Sequence, residues 1–147
     1  MTTATVARLI VSGIAAGQGI VPLFIDLNRT HATNPLWPGH ARFHVVWQAF
    51  TTLPISAITM ALLWCPGAGQ RERFFLAVLL TATSLTGFLV ATLARPLYGG
   101  TLHDPNGIQP LRLRLGSTEI AIDLNLAIVI VASVLLIGAV VLFNFRG

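Results

Sequence analysis

The chain has 147 residues, of which 54% are hydrophobic and only 10% are charged. Soluble domains carry about 25% charged residues, so the composition excludes an ordinary soluble fold and predicts an integral membrane protein. The formal net charge is +4, from nine basic and five acidic residues. Every basic residue is an arginine and the arginines are scattered along the chain, which excludes a nucleic-acid-binding surface.

Four apolar runs are each long enough to cross a bilayer, which takes about 20 helical residues. We predict membrane spans at 6–25, 43–65, 74–94 and 120–145. The residues before the first run lack the basic segment of a signal peptide, so we expect this run to be a retained anchor. The predicted fold is an all-α, integral membrane four-helix bundle that forms a single domain over residues 1–147.

Alternating crossings place the connections 26–42 and 95–119 at one end of the bundle, which we call the loop face. Both termini and the connection 66–73 lie at the other end. The arginines divide into Arg8, Arg71, Arg73 and Arg146 at the end of the termini and Arg29, Arg42, Arg95, Arg112 and Arg114 at the loop face. This near-even division does not orient the chain by the positive-inside rule. We expect cytoplasmic termini, because acidic residues are interleaved with the arginines of the loop face. Arginine as the only basic residue fits a GC-rich bacterial genome, hence a bacterial cytoplasmic membrane.

The first connection and the start of the second span have the highest density of polar side chains. Residues 28–44 read NRTHATNPLWPGHARFH. Ionisable groups are costly at a membrane boundary and usually mark functional sites there. Asn34 and Trp37 lie in a rigid loop bounded by prolines, in which Trp37 either anchors the loop at the membrane interface or lines a ligand pocket with Asn34.

His40 and His44 are four residues apart where the second span begins, so both imidazoles share one helix face. This spacing is typical of helical metal ligands, and a divalent metal would need His31 or Asp123 as a third ligand. Without a metal, one histidine caps backbone carbonyls while the other hydrogen-bonds an acid. Both interpretations stay open.

Polar residues continue the histidine face along the second span. Gln48 and Thr52 come first, and Ser56 and Thr59 follow. Polar stripes on membrane helices usually face neighbouring helices rather than lipid. We therefore expect this stripe to face the interior of the bundle, with Gln48 and Thr52 lining a pocket.

The first span contains small residues and one strongly polar side chain. Gly13 and Gly17, with Gly19 beyond them, have the spacing that permits close approach of another helix. Gln18 lies among them and is expected to form an interhelical hydrogen bond. These features predict helix packing rather than a functional site.

Acidic residues are expected where the fourth span meets the loop face. Glu119 and Asp123 are four residues apart where the fourth helix is expected to begin, which puts them on one helix face. His44 beside either acid would pair a proton donor with an acceptor in a partly dry pocket, where pKa values shift readily. The predicted catalytic residues are His40, His44, Asp123, Glu119 and Arg42. The predicted ligand-binding residues are Asp26, His31, Asn34, Trp37, Gln48, Thr52, Arg95 and Asn125.

A structural ion-pair network at the mouth of the bundle is the alternative to a proton-transfer site. This network would join Arg42 and Arg95 to Asp26, Glu119 and Asp123. Such a network closes the bundle without any chemistry, and it is also compatible with a site.

The third connection contains a period-two pattern. Leu111–Leu115 reads LRLRL and is followed by a glycine and a serine. The alternation predicts a short strand or hairpin, with the sequence DPNG at 104–107 as its turn. An interfacial segment, with leucines in lipid and arginines among headgroups, explains the pattern equally well.

The segment 28–44 resembles the signature loop of a family of small, uncharacterised four-helix membrane proteins from bacteria and fungi. Outside this loop the similarity is limited to the number and length of the spans. In layout the chain is also similar to sterol-isomerase and sigma-2-receptor-like bundles and to DoxX-like four-helix proteins. The resemblance to the isomerases implies polar, proton-handling residues in a lipophilic pocket, as an analogy at the level of the fold.

These features together predict a membrane enzyme that performs acid–base chemistry, such as isomerisation, cyclisation or hydrolysis, on a lipophilic small molecule. His40 and His44 would shuttle protons or bind a metal. Asp123 and Glu119 would orient them or stabilise a cationic intermediate, and Arg42 would set the local charge. The alternative is a non-catalytic protein that binds a lipophile or an assembly partner. A transporter is less favoured, because four helices without a repeat offer no continuous polar track. The expected partners are a lipophilic small molecule and the bilayer. No cofactor is assigned, a divalent metal stays open, and so does a homo-oligomer.

Overall fold

The computed structural model describes residues 1–145. Its elements in chain order are α1 (Thr3–Ile25), α2 (Gly39–Trp64), α3 (Gln70–Tyr98), β1 (Leu111–Leu115), β2 (Thr118–Ile122) and α4 (Leu124–Asn144). All four helices are long and apolar enough to cross a membrane, which confirms the prediction of a mostly helical, four-helix protein. Arg146, one of the arginines expected at the end of the termini, lies outside the described residues.

The helices extend beyond the apolar runs at the loop face. α2 begins at Gly39, so His40 lies in its first turn. α3 continues past Arg95 and ends at Tyr98, where Gly99 adopts the left-handed conformation (φ +67°) and donates its N–H to Arg95 O. A glycine at this position is the usual way to end a helix. The polar residues at both helix ends are therefore held on regular backbone.

The apolar core lies toward the end of the termini. Its fully buried members come from the starts of α1 and α3 and from the ends of α2 and α4. The rings of Phe74 on α3 and Phe143 on α4 are stacked, with centroids 3.8 Å apart. At the loop face, contacts between the polar connections replace this apolar packing.

The closest approach of α1 and α2 occurs at Gly19. A Cβ atom on Gly19 would lie 2.6 Å from Ser56 Cβ, and Ser56 Oγ donates a hydrogen bond to Ala15 O at 2.7 Å. A Cβ atom on Gly13 or Gly17 would meet nothing within 4 Å. Among the described residues, the predicted close approach within the bundle therefore occurs at Gly19, on the face of α1 that meets α2, and not at Gly13 or Gly17. Packing of Gly13 and Gly17 against a second copy of the chain stays a prediction.

Gln18 forms the expected interhelical hydrogen bond. Its Nε2 donates to Thr81 O on α3 at 3.0 Å. The Thr81 hydroxyl donates to Ala77 O, one turn earlier in the same helix. A buried amide costs free energy unless its donors find acceptors, so this bond explains why α1 tolerates a glutamine.

The third connection forms the predicted hairpin, but the turn lies elsewhere. β1 pairs with β2 in antiparallel register, from Leu111 opposite Ile122 to Leu115 opposite Thr118. The chain turns at Gly116, whose φ of +63° is in the left-handed region that two-residue hairpin turns require. The predicted turn at 104–107 is a separate turn, closed by Gly107 N–H donating to Asp104 O at 2.9 Å.

The fourth helix begins at Leu124, four residues later than the predicted start at 120. Asp123 is its N-cap, with the carboxylate accepting the N–H of Leu126 at 3.0 Å. Glu119 lies on β2 instead. The prediction that Glu119 and Asp123 share a helix face is therefore wrong. Residues 118–122 form a strand that pairs with β1. Aspartate is a strong N-cap, so the helix begins only after Asp123.

Candidate functional site

The polar side chains of the loop face form three groups. All four histidines and four of the five acidic residues lie at this end of the bundle. The first group, the loop clamp, consists of Asn34, Trp37 and Asp104. The second is the histidine–aspartate cleft around Arg95, His103 and Asp123. The third is the histidine pair, His40 and His44.

The loop clamp joins the first connection to the third. Trp37 donates its indole N–H to Asp104 Oδ2 at 2.8 Å, and Asn34 donates from Nδ2 to Asp104 Oδ1 at 3.4 Å. Asn34 is completely buried, and its Oδ1 accepts the N–H of Leu36 at 3.0 Å. These bonds favour the carboxylate, so the pKa of Asp104 lies below its ordinary value, chiefly because of the bond from Trp37. The clamp fixes the two connections relative to each other.

His31 lies between the end of α1 and the loop clamp. Its Nδ1 is 3.8 Å from Asp26 Oδ1 and 2.8 Å from Thr30 Oγ1. Its ring meets that of Trp37 edge-on, with centroids 5.2 Å apart. Burial raises the pKa of Asp26, and the nearby His31 opposes this shift. Four of the predicted ligand-binding residues therefore lie together, but they are largely engaged with one another.

The histidine–aspartate cleft is an open cavity of about 320 Å³ between the end of α3, the third connection and β2. It is lined by Arg95, Gly100, Thr101, Leu102, His103, Pro110, Ala121 and Asp123. His103 Nδ1 is 3.7 Å from Asp123 Oδ2, a distance within ion-pair range but longer than a hydrogen bond. The Asp123 side chain is 11% exposed and that of His103 is 41% exposed. The carboxylate is thus recessed, and the imidazole lies nearer the solvent.

The two carboxylate oxygens of Asp123 face different groups. Oδ1 accepts the N–H of Leu126 and caps α4, while Oδ2 faces His103. The cap fixes the position of the carboxylate. A carboxylate beside Nδ1 holds the proton on that nitrogen and leaves Nε2 to exchange a proton with another molecule.

Arg95 adds a positive charge to the same cleft. Its Nε donates to Thr92 O at 2.8 Å, which holds the side chain at the end of α3. Arg95 is one of the residues that line the cleft. A guanidinium in such a position suits a carboxylate, phosphate or carbonyl group of a ligand.

His40 and His44 face each other on α2. Their Nε2 atoms are 3.0 Å apart and their rings are nearly perpendicular, so one ring donates a hydrogen bond to the other, or both nitrogens bind one metal ion. Both side chains are exposed. Within residues 1–145, no three histidine, cysteine or acidic side chains converge on a common point. The third ligand expected from His31 or Asp123 is therefore not beside the pair.

The polar stripe of α2 is buried only in its inner part. Ser56 and Thr59 are buried, and Thr52 is half-buried with its hydroxyl donating to Ala49 O at 3.0 Å. Gln48 is exposed. The expected orientation toward the bundle interior thus holds for the inner residues and fails for Gln48, which lies near the exposed histidine pair.

The remaining predicted site residues are dispersed. Glu119 is on β2, where its Oε1 accepts a hydrogen bond from Arg112 at 2.8 Å. Asn125 is exposed in the first turn of α4. Arg42 is partly buried, and among the described residues its Nε has no hydrogen-bond partner. None of these residues lines the cleft.

The predicted ion-pair network of Arg42 and Arg95 is not formed within the part of the chain that the structure describes. The ion pairs there join His31 to Asp26, His103 to Asp123 and Arg112 to Glu119. The acids expected to pair with the two arginines thus form ion pairs with other residues. Two of these partners are histidines, and the third is the arginine diagonally opposite on the hairpin.

Two residues at the loop face were not predicted from the sequence. Asp104 is in a DPNG sequence typical of turns, and it does form a turn, so nothing local indicates its contact with Trp37. His103 directly precedes it. One sequence feature could have indicated Asp104 and His103. Alternating spans place the third connection at the same end of the bundle as the first connection, so residues of the two connections can meet.

The chain matches no known protein family model, no curated protein and no solved structure. The resemblance of residues 28–44 to a signature loop stays a prediction from the sequence. A function for this protein therefore has to be argued from the geometry of the loop face.

Proposed function

We propose that the four helices span a bacterial cytoplasmic membrane and that the loop face lies at one surface of that membrane. The exclusive use of arginine as the basic residue supports the bacterial origin. The helices are 21 to 29 residues long, which matches the thickness of a bilayer. Large apolar side chains are exposed on their outer surfaces, among them Phe24, Leu79 and Ile137. Such surfaces are stable in hydrocarbon rather than in water.

The proposed activity is proton transfer on a lipophilic small molecule that carries a polar head group. The observation that supports it is the convergence of His103, Asp123 and Arg95 on one cleft. A histidine next to a carboxylate exchanges protons near neutral pH. The guanidinium beside it binds the polarised or anionic group on which charge develops. Isomerisation, cyclisation and hydrolysis all use these elements.

Each residue has a distinct role in this proposal. Asp123 orients the His103 imidazole through Nδ1, and His103 Nε2 accepts or donates the transferred proton. Arg95 binds the head group of the substrate. The recessed position of Asp123 keeps its charge close to the imidazole, where water screens it less.

The size and position of the cleft favour an amphiphilic substrate. Its volume of about 320 Å³ is at the lower end of the range for ligand pockets, so it fits a head group or a small ring system. The cleft is next to the end of α3, whose outer surface is apolar at Leu93 and Leu97. A hydrocarbon tail can extend along this surface while the head group stays near Arg95.

In this proposal the histidine pair has no part in the chemistry. The sequence analysis predicts a catalytic role for His40 and His44, together with Arg42 and Glu119. That role stays a prediction. The cleft is preferred because it combines a base, an orienting acid and a cation. The histidine pair is exposed and has no acidic partner in the described residues.

A non-catalytic role in binding a lipophile or an assembly partner is the second candidate, and an apolar groove favours it. This groove has a volume of about 560 Å³ and runs between α1 and α4. It is lined by Leu9, Ile10, Gly13, Ile14, Ala127, Ile128, Val131, Ala132 and Leu135. It contains no acid, base or hydrogen-bonding side chain, so it is suited to binding and not to catalysis.

The test compares product formation by cleft variants and by variants outside the cleft. Wild type, His103→Gln, Asp123→Asn and His40→Ala/His44→Ala are reconstituted in nanodiscs and incubated with a bacterial polar lipid extract. Products are followed by liquid chromatography and mass spectrometry. Asp123→Asn removes the charge and keeps a residue that can cap α4.

We expect wild type and the double histidine variant to form a product that the two cleft variants do not form. Conversion that requires His40 and His44 but not His103 would move the site to the histidine pair. No conversion by any protein, with a lipid retained by wild type, would favour the non-catalytic alternative.

A further inference from the structure

The β1–β2 hairpin has two faces of opposite character. In its register, Leu111 is opposite Ile122 and Leu113 is opposite Ile120. Paired residues point to the same side of a sheet, so these four side chains form one largely apolar face with Leu115 and its partner Thr118. The other face carries Arg112, Arg114, Glu119 and Ala121.

The apolar face of the hairpin is uncovered in the described part of the chain. Leu113 is 41% exposed, Ile120 is 42% exposed and Leu115 is 66% exposed. An isolated two-stranded hairpin is marginally stable in water. A hairpin of five-residue strands with one apolar face therefore needs a surface to cover that face.

The hairpin is joined directly to a helix that we propose to span the membrane. β2 ends at Ile122, and Asp123 caps α4, which begins at Leu124. A five-residue strand is about 17 Å long, so no part of the hairpin is far from the start of α4. The apolar face is therefore within reach of the membrane interface at which α4 begins.

The charges on the polar face complement an anionic membrane surface. Arg112 and Arg114 are exposed, and only Arg112 has an acidic partner, Glu119, within the described residues. Arginine side chains next to an apolar surface extend their charged ends toward phosphate groups. Basic residues at this depth are attracted to anionic lipids.

We propose that the β1–β2 hairpin lies flat in the membrane interface, with its leucine and isoleucine face in the acyl region and its arginines among anionic phospholipid phosphates. This inference rests on the proposed membrane insertion of the four helices. The hairpin borders the histidine–aspartate cleft through Ala121, so an interfacial hairpin would open the cleft toward lipid headgroups and make the membrane the source of the ligand.

The test measures the depth of single spin labels in the full-length protein in nanodiscs. The one native cysteine, Cys65, is first replaced by serine. Labels are then placed on the apolar face at Leu113→Cys and Ile120→Cys and, as the matched control, on the polar face at Ala121→Cys. The accessibility of each label to oxygen, which concentrates in lipid, is compared with its accessibility to a water-soluble nickel chelate.

A label at Ile137→Cys on α4 separates failure of this inference from failure of the membrane proposal. Ile137 is 66% exposed in the middle of the helix. High oxygen accessibility at this label establishes membrane insertion whatever the hairpin does. Low oxygen and high nickel accessibility there would overturn the membrane proposal itself.

We expect the ratio of oxygen to nickel accessibility to be severalfold higher at the labels on residues 113 and 120 than at the label on residue 121. The contrast should be larger in phosphatidylglycerol-containing nanodiscs than in phosphatidylcholine alone, and Arg112→Gln/Arg114→Gln should remove this lipid dependence. Nickel accessibility at all three labels would show a hairpin free in water and overturn the inference. Protection of the label on residue 113 from both reagents would show that a second copy of the chain covers the face, which also overturns it.

Discussion

Trp37 Nε1 and Asp104 Oδ2 are 2.8 Å apart, although the residues are 67 positions apart in the chain. Their hydrogen bond joins the connection that leads into α2 to the connection that leads into the hairpin and α4. His31 packs edge-on against Trp37, and His103 directly precedes Asp104. The same contact therefore helps to position two histidines, His31 and His103, at the loop face.

The loop clamp should contribute measurably to stability. Asn34→Ala removes a completely buried side chain together with its hydrogen bonds to Leu36 N–H, Thr30 O and Asp104 Oδ1, and each such bond contributes about 0.5–1.5 kcal/mol. We expect the thermal unfolding midpoint in detergent to fall. Trp37→Phe, which keeps an aromatic ring but removes the donor and part of the indole, should lower the midpoint less. Leu36→Ala is the control, because this side chain is 75% exposed. A midpoint for Asn34→Ala equal to that of wild type would show that the clamp has no stabilising role.

Asp26 should make the stability of the protein depend on pH. Burial raises its pKa, so the folded protein holds the proton more tightly than the unfolded chain. The stabilisation is complete below the unfolded pKa of about 4 and is lost as the pH rises through the folded pKa. We expect Asp26→Asn to have a higher unfolding midpoint than wild type at neutral pH.

The difference between Asp26→Asn and wild type should shrink as the pH is lowered from neutral toward the unfolded pKa of about 4. Asp104 contributes a pH dependence of the opposite sign. Its lowered pKa stabilises the folded protein above about pH 4, and this stabilisation is lost only as the pH falls through the pKa of the folded state. Because Asp104 is present in both proteins, its contribution cancels in the difference between them. A difference that stays constant over this range would contradict the role assigned to its burial.

Gly19 and Gly17 should respond in opposite ways to the same substitution. Gly19→Ala places a methyl group 2.6 Å from Ser56 Cβ, and overpacking of this kind costs about 1–3 kcal/mol. Gly17→Ala meets nothing within 4 Å and gains helix propensity. We expect Gly19→Ala to lower the unfolding midpoint and Gly17→Ala to leave it unchanged or raise it. Equal losses in both variants would indicate that Gly17 packs against a second copy of the chain.

The histidine pair should not hold a stoichiometric metal ion. His40 and His44 supply two nitrogens, and no third ligand converges on them within residues 1–145, whereas protein zinc sites use at least three protein ligands. We expect detergent-purified, tag-free protein to contain well below one transition-metal ion per chain by mass spectrometry. His40→Ala/His44→Ala should leave the content unchanged. One metal ion per chain that disappears in the double variant would make the pair a metal site.

The helices could be predicted because their signal is local. Each apolar run is long enough to cross a bilayer, and this property alone gives the number and order of α1 to α4. The hairpin was also predictable, because alternation in Leu111–Leu115 has a period of two. Its turn was assigned to 104–107 because DPNG is a stronger turn sequence than the glycine and serine that form it.

The site could be predicted only in part, because its contacts are long-range. Asp123 was identified as a site residue, but its partner was expected to be His44 and is His103. Glu119 and Asp123 were expected on one helix face because they are four residues apart. Glu119 lies instead in β2, and only Asp123 belongs to the start of α4. Asp104 was missed because a residue that forms a local turn gives no sign of a second contact 67 positions away.

Deuterium transfer from solvent tests the proton-transfer proposal most directly. Wild type, His103→Gln and Asp123→Asn are incubated in nanodiscs with a bacterial polar lipid extract in D2O, and in H2-18O to detect hydrolysis. We predict that wild type introduces deuterium at carbon, or 18O, into one lipid species and that both cleft variants fail to do so. If no lipid gains either isotope above the protein-free control, or if His103→Gln labels it as fast as wild type, the cleft does not perform this chemistry.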